Sequence, residues 1–311
     1  MNTKQLTSNI KQLSHDLGFN LVGISNPKKD AKVADRFEKW LNMGYQGSMN
    51  WLSSRKEEKK DIFKYFPQVK SVISFGYNYY TQSNNNDNNY KISNYALGDD
   101  YHLVIKEKLF EILSFIKSNN EDLMYRVCVD TSPLMEKDLA QKAGLGWIGK
   151  HTNLINNKIG SWFFISEILL DIELEYDKEF IDDLCGTCVK CLDACPTDAL
   201  TPYVLDSNKC ISYLTIEHRG EIDSKYSNSL EGWIYGCDIC QDVCPWNVKF
   251  SLPTKEEKFL ENKKIQKMTK KDWNNLDATQ YRDTFKNSAV KRTKFEGISR
   301  NIQLNRKNND S

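Results

Sequence analysis

Nine cysteines are present in this chain of 311 residues, and eight of them lie within one stretch of sixty residues. The first run, CGTCVKCLDACP, has the spacing C-x2-C-x2-C-x3-C-P, in which three closely spaced thiolates bind one iron–sulfur cubane and the fourth binds a neighbouring cubane. A second run, CDICQDVCP, supplies the partner that this rule requires. The spacing therefore predicts two 4Fe-4S clusters. One is predicted to be held by Cys185, Cys188, Cys191 and Cys244, and the other by Cys195, Cys210, Cys237 and Cys240.

Zinc is the competing metal for cysteine pairs, because C-x2-C pairs also occur in zinc ribbons. A zinc ribbon needs four ligands rather than eight and does not require two Cys-Pro endings, so clusters are the stronger interpretation. The 26 residues between Cys210 and Cys237 contain ISYLTIEHRG and form an insertion that compact two-cluster proteins lack. We expect this insertion to serve a purpose other than electron transfer. Two adjacent clusters form an electron relay, which needs a terminal acceptor elsewhere in the chain.

Asp130 is the candidate for proton chemistry outside the cysteine runs. It ends the apolar segment YRVCVD and precedes TSPLMEK, at a predicted junction of strand and helix where α/β domains often place catalytic groups. Ser132 is expected to cap that helix, with Pro133 at its first position. The alternative is that Asp130 only supports the turn or the helix N-terminus. Cys128 is predicted to be a core thiol, and His102 to lie on a helix surface.

The elements that must position these groups alternate between helix and strand over the first 170 residues. Helical periodicity predicts an amphipathic helix at the N-terminus and another over 102–116. Apolar runs predict strands over 21–24, 69–77, 125–130 and 160–170. The acidic stretch 171–183 marks a domain boundary. We therefore predict an α+β protein with domains at 1–175, 176–252 and 253–311.

Charge is divided unevenly along the chain, although the formal net charge is only +1. The stretch from Lys263 to Lys307 has nine Lys and four Arg against four acids and carries +9, whereas residues 1–262 carry −7. A basic tail beside an acidic body favours a polyanionic partner. The alternative is that these lysine-rich helices are simply solvated.

The N-terminus and the cysteine content bear on where the protein works. The sequence MNTKQLTSNIKQL is polar and charged where a secretion signal needs an apolar core, and no run approaches the roughly 20 apolar residues of a membrane span. Clustered cysteines then favour metal binding over disulfides, because the cytoplasm keeps thiols reduced. A cytoplasmic protein without a membrane partner is therefore expected.

Six segments resemble the epoxyqueuosine reductases, a family of cobalamin-dependent iron–sulfur enzymes that modify tRNA. The resemblance covers nearly the whole chain, and the combination of VDTSPLMEK with YLTIEHRG is more specific than the cysteine runs alone. The matching segments are GYQGSMNWLSSR (44–55), SNYALGDDYH (93–102), VDTSPLMEKDLAQKAGLGWIGKHTNLI (129–155), GSWFFISEIL (160–169), CISYLTIEHRG (210–220) and GCDICQDVCPWN (236–247).

The resemblance implies a nitroreductase-like α/β domain that binds cobalamin, a two-cluster ferredoxin-like domain and a short helical C-terminal tail. It implies an oxidoreductase that reduces epoxyqueuosine at the tRNA wobble position to queuosine, with cobalamin reduced through the two 4Fe-4S clusters. Asp130 would be the proton donor, and burial against the corrin would raise its pKa and keep it protonated. An external low-potential donor such as flavodoxin or ferredoxin is expected, and so is a monomer.

The resemblance also implies contacts to the cofactor and to the tRNA. Besides Asp130, the residues expected to contact cobalamin are Arg55, Lys150, His151 and Leu154. The residues expected to contact tRNA are Glu217, His218, Arg219, Lys291 and Arg292. The chain has Ile105 where the motif D-x-H-x-x-G has its glycine, so no histidine is expected below the cobalt. Longer members of the family continue into HEAT-like repeats, so tRNA binding here is expected to depend on the insertion and the tail.

The sequence leaves three other functions open. A reductive dehalogenase would use a similar arrangement of cobalamin and two clusters but would normally carry an export signal. A flavin-dependent reductase could carry the same cysteine runs. A non-catalytic electron carrier would need neither VDTSPLMEK nor a basic tail. The identity of the bound cofactor distinguishes these functions.

Overall fold

The computed structural model describes residues 1–82 and 89–307. Its central sheet is antiparallel, and from one edge to the other its strands are β1 (Leu21–Ser25), β2 (Ser71–Asn78), β7 (Phe163–Leu170) and β4 (Tyr125–Cys128). Short strands lie elsewhere: β3 (Lys91–Ile92), β5 (Trp147–Ile148), β6 (Leu154–Ile155), β8 (Leu200–Thr201), β9 (Val204–Leu205) and β10 (Trp233–Tyr235). The strands β2 and β7 are the apolar, buried runs of the sequence, and they form the middle of the sheet.

Helices pack against this sheet, and in the second half of the chain they hold more residues than the strands do. In the first half they are α1 (Thr3–Asp16), α2 (Ala31–Asn42), α3 (Asn50–Ser54), α4 (Lys56–Lys60), α5 (Ile62–Tyr65), α6 (Tyr101–Lys117) and α7 (Glu136–Lys142). In the second half they are α8 (Lys190–Asp193), α9 (Ile211–Ile216), α10 (Ile239–Asp242), α11 (Pro245–Phe250), α12 (Lys263–Lys267), α13 (Lys270–Asn274), α14 (Ala278–Thr284) and α15 (Lys294–Lys307). Helices α1 and α6 pack together beside the sheet and contribute to its main core.

The strands and long helices that periodicity predicts are confirmed to within three residues at each end. The Asn-rich stretch SNNNDNNY (83–90) is too polar to pack and predicts a surface loop, but residues 83–88 of it lie outside the described residues. Within the described ranges, no helix is both long enough and apolar enough to cross a membrane. The domain boundaries after residues 175 and 252 stay predictions.

The segment after β4 differs from the predicted helix. Helix α7 begins at Glu136, and the expectation that Ser132 caps a helix starting at Pro133 is wrong. Asp130 instead has a φ of +59°, so the chain leaves β4 in a tight turn. Two short backbone bonds continue this turn, from Thr131 N–H to the Val129 carbonyl (2.6 Å) and from Leu134 N–H to the Ser132 carbonyl (2.8 Å). These bonds use the backbone groups that a helical turn would need.

The C-terminal tail packs into a second core, although its composition predicts only a helical extension. Trp273, Phe285 and Ile298 are fully or almost fully buried there, against β10 of the cysteine segment and β3 of the first half. Strand β10 pairs with β3 in parallel. The side chain of Asn301 donates to the carbonyls of Thr215 (2.9 Å) and Ile234 (2.8 Å), which fixes the insertion to α15. The tail therefore holds the insertion and the first half together.

Candidate active site

The eight clustered cysteines line two separate cavities. A cavity of about 290 Å³ is lined by Cys195, Cys210, Cys237 and Cys240, and a smaller one of about 30 Å³ is lined by Cys185, Cys188, Cys191 and Cys244. We call these the inner and the outer thiol set. Each set combines cysteines from both runs, in the same grouping that the spacing predicts. The ninth cysteine, Cys128, is a buried core thiol as predicted.

The local fold around the thiols is suited to metal binding. Burial raises the pKa of Cys191 to about 11, and it raises the pKa values of Cys237 and Cys240 well above the ordinary value. A buried thiol loses its proton readily only when the resulting thiolate binds a strongly cationic metal, such as the iron of a cluster. Backbone and ring N–H groups also point at sulfur, from Ala199 to Cys195 (3.4 Å) and from Trp147 to Cys185 (3.5 Å). Hydrogen bonds of this kind stabilise cluster sulfur.

Asp130 faces open space at the turn after β4, and 60% of its side chain is accessible. The Tyr101 hydroxyl, at the start of α6, donates to Oδ2 of Asp130 at 2.7 Å. Nε2 of His102 lies 3.6 Å from the same oxygen, and Nδ1 of His102 is 2.7 Å from the carboxylate of Asp100. The backbone N–H of Asp130 donates to Glu136 at 2.9 Å. The turn thus presents one carboxyl group, whose Oδ2 accepts a hydrogen bond from Tyr101 and lies beside the His102 ring.

His102 and Tyr101 determine the acidity of Asp130. Desolvation by the surrounding protein opposes ionisation of Asp130, but His102 and the Tyr101 hydroxyl outweigh it, so the pKa of Asp130 is lowered. Burial likewise opposes protonation of His102, but its partners Asp100 and Asp130 outweigh it and raise the pKa of His102 to about 9. At neutral pH His102 therefore carries a proton. The raised pKa that burial against the corrin is expected to give Asp130 stays a prediction.

A pair of buried carboxyl groups lies behind Asp130. Glu167, on the central strand β7, is fully buried, and neither of its carboxyl oxygens has a hydrogen-bond partner in the described part of the chain. Burial and then the nearby Glu136 raise the pKa of Glu167 well above its ordinary value. Burial and then Asp130 raise the pKa of Glu136 to about 8. Lys59 is the nearby cation and donates to the Leu134 carbonyl at 2.8 Å. The pair therefore retains protons at neutral pH.

The inner thiol set and the acid site are joined through aromatic residues. Tyr95 lines the cavity of the inner set, and its ring centroid lies 6.2 Å from that of Tyr101, the donor to Asp130. Lys137, the residue after Glu136, lines the same cavity and donates to the Thr152 carbonyl at 2.9 Å. The inner set is therefore the one that faces the first half of the chain.

The four further residues predicted to contact cobalamin differ in their exposure and in their hydrogen-bond partners. Arg55 is exposed and pairs with Glu58 at 2.5 Å. Nζ of Lys150 donates to two carbonyls beside the outer thiol set, those of Gly186 (2.6 Å) and Cys188 (3.0 Å). His151 and Leu154 are buried, at 3% and 2% exposure. Lys150 therefore supports the loop of the outer set, and the cobalamin contacts of all four residues stay predictions.

The residues predicted to contact tRNA come together where the insertion meets the tail. Arg292 forms a two-pronged pair with Glu217, at 2.8 and 2.9 Å. Arg219 donates to the Arg292 carbonyl at 2.8 Å. Nε2 of His218 donates to the Glu221 carbonyl (2.8 Å), and Lys291 is exposed. Glu217 thus orients Arg292.

Several residues of this site were not singled out by sequence reasoning. His102 was expected on a helix surface, yet it adjoins Asp130, and Tyr101 beside it was not considered. The Asp-Tyr-His string in SNYALGDDYH was the available signal. Glu167 had a signal too, since it is a lone acid within an apolar strand. Arg300, which donates to the carbonyls of His218 and Leu214 and so supports the insertion, had none.

Comparison with known proteins gives consistent matches. Two family models match the chain: "Epoxyqueuosine reductase QueG, DUF1730" over residues 59–131 and "4Fe-4S double cluster binding domain" over residues 184–247. An epoxyqueuosine reductase of Leadbetterella byssophila is 46% identical over 96% of this chain and 98% of its own length.

Solved structures agree with the sequence matches. An epoxyqueuosine reductase crystallised with an epoxyqueuosine-modified tRNA-Tyr stem loop superposes with a TM-score of 0.90 at 25% identity, over 99% of this chain and 82% of that one. The epoxyqueuosine reductase of Bacillus subtilis, with its catalytic aspartate loop swung out of the active site, superposes with a TM-score of 0.88 at 25% identity, again over 99% and 82%. The comparisons confirm the α+β fold class and two 4Fe-4S clusters in place of zinc.

Proposed function

The chain belongs to the epoxyqueuosine reductase family, and we propose that it reduces epoxyqueuosine at the wobble position of tRNA to queuosine. The observation that carries this proposal is the Asp130 carboxyl, which faces open space, accepts a hydrogen bond from Tyr101 and lies 3.6 Å from His102. Conversion of an epoxide to an alkene breaks two C–O bonds, forms one C=C bond and releases the oxygen as water. It consumes two electrons and two protons, so the site needs both a reductant and an acid.

The cofactors are two 4Fe-4S clusters and cobalamin. The inner and outer thiol sets suit the clusters, because each places four cysteines around one cavity and because metal binding favours the thiolate form of Cys191, Cys237 and Cys240, whose pKa values burial raises. Cobalamin, when bound, supplies the two electrons at low potential. Arg55, Lys150, His151 and Leu154 are the residues that we propose to hold it, next to Asp130. The inner set is proposed as the cluster closest to the cobalamin, and the outer set as the entry point for electrons.

The chain's own residues supply the protons. We assign Asp130 as the group that protonates the departing oxygen, because an acid beside that oxygen lowers the barrier to its departure. Tyr101 fixes the Asp130 side chain by its hydrogen bond. His102 is oriented by Asp100 and holds a proton next to Asp130, which Asp130 takes up and passes to the departing oxygen. Solvent then reprotonates His102 for the second transfer, so both required protons can pass through one carboxyl group.

This assignment predicts how turnover depends on pH. We expect the rate to be level from about pH 7 and to fall as the pH rises through about 9, because His102 then loses the proton that it shares with Asp130. In His102→Gln the fall should move to lower pH, since Asp130 alone must hold the proton and a carboxyl group loses its proton at lower pH than His102 does. Single-turnover rates across this pH range measure both curves. A His102→Gln curve that coincides with that of wild type contradicts the role of His102, and His15→Gln is the control.

The partner that we propose for the insertion and the tail is the phosphate backbone of the tRNA. Lys291 helps to lower the pKa of Asp100, and Asp130 helps to raise the pKa of Arg292, so both cations lie near the acid site. Glu217 and Arg219 fix the backbone and side chain of Arg292, and His218 lies on the same segment. Recognition of folded RNA depends mainly on its phosphates and shape, with the target base turned out of its stack. Basic residues beside the acid site suit that arrangement.

Lys291→Ala tests this surface. We expect weaker tRNA binding at low salt and a slope of log affinity against log salt that is smaller by about 1, because one phosphate contact is lost. Binding measured at several salt concentrations gives this slope. Lys4→Ala, at the exposed start of α1, is the matched control. An unchanged slope in Lys291→Ala removes Lys291 from the interface.

The electron donor, the oligomeric state and the compartment are part of the same proposal. We propose a cytoplasmic monomer that receives electrons from a flavodoxin or a ferredoxin. The decisive experiment is anaerobic reconstitution with iron, sulfide and cobalamin, followed by reduction and mass spectrometry of tRNA that contains epoxyqueuosine. Formation of queuosine supports the proposal. Protein that holds both clusters and cobalamin but leaves the tRNA unchanged contradicts the assigned substrate.

A further inference from the structure

His151 lies between the two thiol sets. It lines both the cavity of the inner set and the cavity of the outer set, and its side chain is only 3% exposed. The loop that carries it is held from α7, where Lys137 donates to the Thr152 carbonyl (2.9 Å) and approaches Oδ1 of Asn153 (3.4 Å). A buried, well-fixed imidazole therefore separates the two places where clusters would bind.

The hydrogen bond to Nδ1 determines which ring nitrogen of His151 carries the proton. Nδ1 of His151 lies 3.1 Å from the backbone N–H of Asn153, which can only donate, so Nδ1 must accept and carries no hydrogen. Burial and then the charge of Lys137 lower the pKa of His151 to about 4, so the ring is neutral at neutral pH. The single ring hydrogen therefore resides on Nε2.

Nε2 of His151 is buried and has no hydrogen-bond partner in the described part of the chain. A buried N–H without an acceptor is unfavourable, and native structures rarely leave one. The cavities on either side of the ring are lined by cysteine sulfur. Sulfur of a bound cluster carries negative charge and accepts hydrogen bonds from N–H groups, and such bonds are one of the determinants of the cluster's reduction potential.

We propose that the Nε2–H group of His151 donates a hydrogen bond to sulfur of a bound 4Fe-4S cluster and thereby raises the reduction potential of that cluster relative to its neighbour. The inference depends on the two clusters of the proposed function. The bond favours the reduced cluster because reduction adds negative charge to the sulfur. One electron passes between the clusters at a time, no covalent bond changes, and the proton stays on Nε2. His151 is in this respect a positioning residue for electron flow.

The test is a redox titration of the holoenzyme followed by EPR, in wild type and three variants. In His151→Leu the N–H is lost, and the reduction potential of one cluster should fall by about 59 mV, which is about a tenfold change in the equilibrium constant of a one-electron couple. His151→Gln retains an N–H donor and should lie closer to wild type. His15→Leu, on α1, should leave both potentials unchanged. Unchanged potentials in His151→Leu at full iron content overturn the inference.

A second measurement decides the question if His151→Leu fails to hold iron. Wild type with ¹⁵N-labelled histidine should show a nitrogen coupling to a reduced cluster, together with an exchangeable proton that disappears in D₂O. The nitrogen coupling should be lost in His151→Gln, and the absence of both signals from wild type overturns the inference. Conversion of tRNA is assayed in the same samples. If His151→Leu shifts a potential but wild type does not convert tRNA, the proposed function is contradicted and the role of His151 is not. If wild type converts tRNA but His151→Leu shifts no potential, only the role of His151 is contradicted.

Discussion

Asp130→Asn is expected to lower the rate of queuosine formation by at least about 100-fold, the usual contribution of a positioned general acid. The amide cannot donate a proton to the departing oxygen, and it also ends the proton exchange with His102. Asn is the appropriate replacement because residue 130 has a φ of +59°, a conformation that Asn and Asp adopt more readily than other residues with a side chain. The turn after β4 should therefore persist. Single-turnover conversion of modified tRNA, followed by mass spectrometry, gives the rate.

The control for Asp130→Asn is Asp122→Asn, an equivalent change at an exposed aspartate before β4. It should convert tRNA at the wild-type rate. Iron and cobalamin contents should be the same in all three proteins, so that a lost rate cannot reflect a lost cofactor. An Asp130→Asn variant that retains all its cofactors and turns over within about threefold of wild type would exclude the acid role.

Cys195→Ser should remove the inner cluster and abolish conversion of tRNA, because the relay then lacks the cluster closest to the cobalamin. Iron content should fall from about eight atoms per chain to about four. Cys244→Ser should remove the outer cluster with the same loss of iron. A strong chemical reductant should restore part of the activity in Cys244→Ser but none in Cys195→Ser, since the inner cluster is intact only in the former.

Double variants test how the cysteines are divided between the clusters. Cys195→Ser combined with Cys240→Ser changes one set twice and should still leave about four irons. Cys195→Ser combined with Cys191→Ser changes both sets and should leave almost none. The opposite pattern would mean that Cys195 binds with its sequence neighbours. Cys128→Ser, which changes the buried core thiol, should retain all the iron.

The cysteine grouping and the main strands could be predicted because they depend on local spacing. A cubane needs three ligands within a few residues, and a buried strand needs a continuous apolar run. The start of α7 could not be predicted in the same way. Its capping signals, Ser132 and Pro133, were genuine local preferences, but the turn at Asp130 and its bond to Glu136 override them.

The pKa values of Asp130 and His102 could not be predicted from the sequence, because they depend on distances between separate elements. Asp130 follows β4, whereas His102 belongs to α6, and only the fold places them 3.6 Å apart. That contact contributes to the lowered pKa of Asp130. The packing of the tail has the same origin. Its composition predicted only a helical extension, yet the apolar residues in it, such as Trp273 and Phe285, form a core with β10 and β3.

The parallel pairing of β3 with β10 has a consequence for how the chain folds. The paired residues, Lys91 with Trp233 and Ile92 with Tyr235, lie roughly 140 positions apart in the sequence. Contacts between such distant residues form late and slowly, because a long loop must close before they stabilise anything. The insertion between Cys210 and Cys237 is therefore expected to become ordered after the central sheet. Iron–sulfur assembly would then act on a chain whose first half is already folded, and the inner cluster would be the last to be completed.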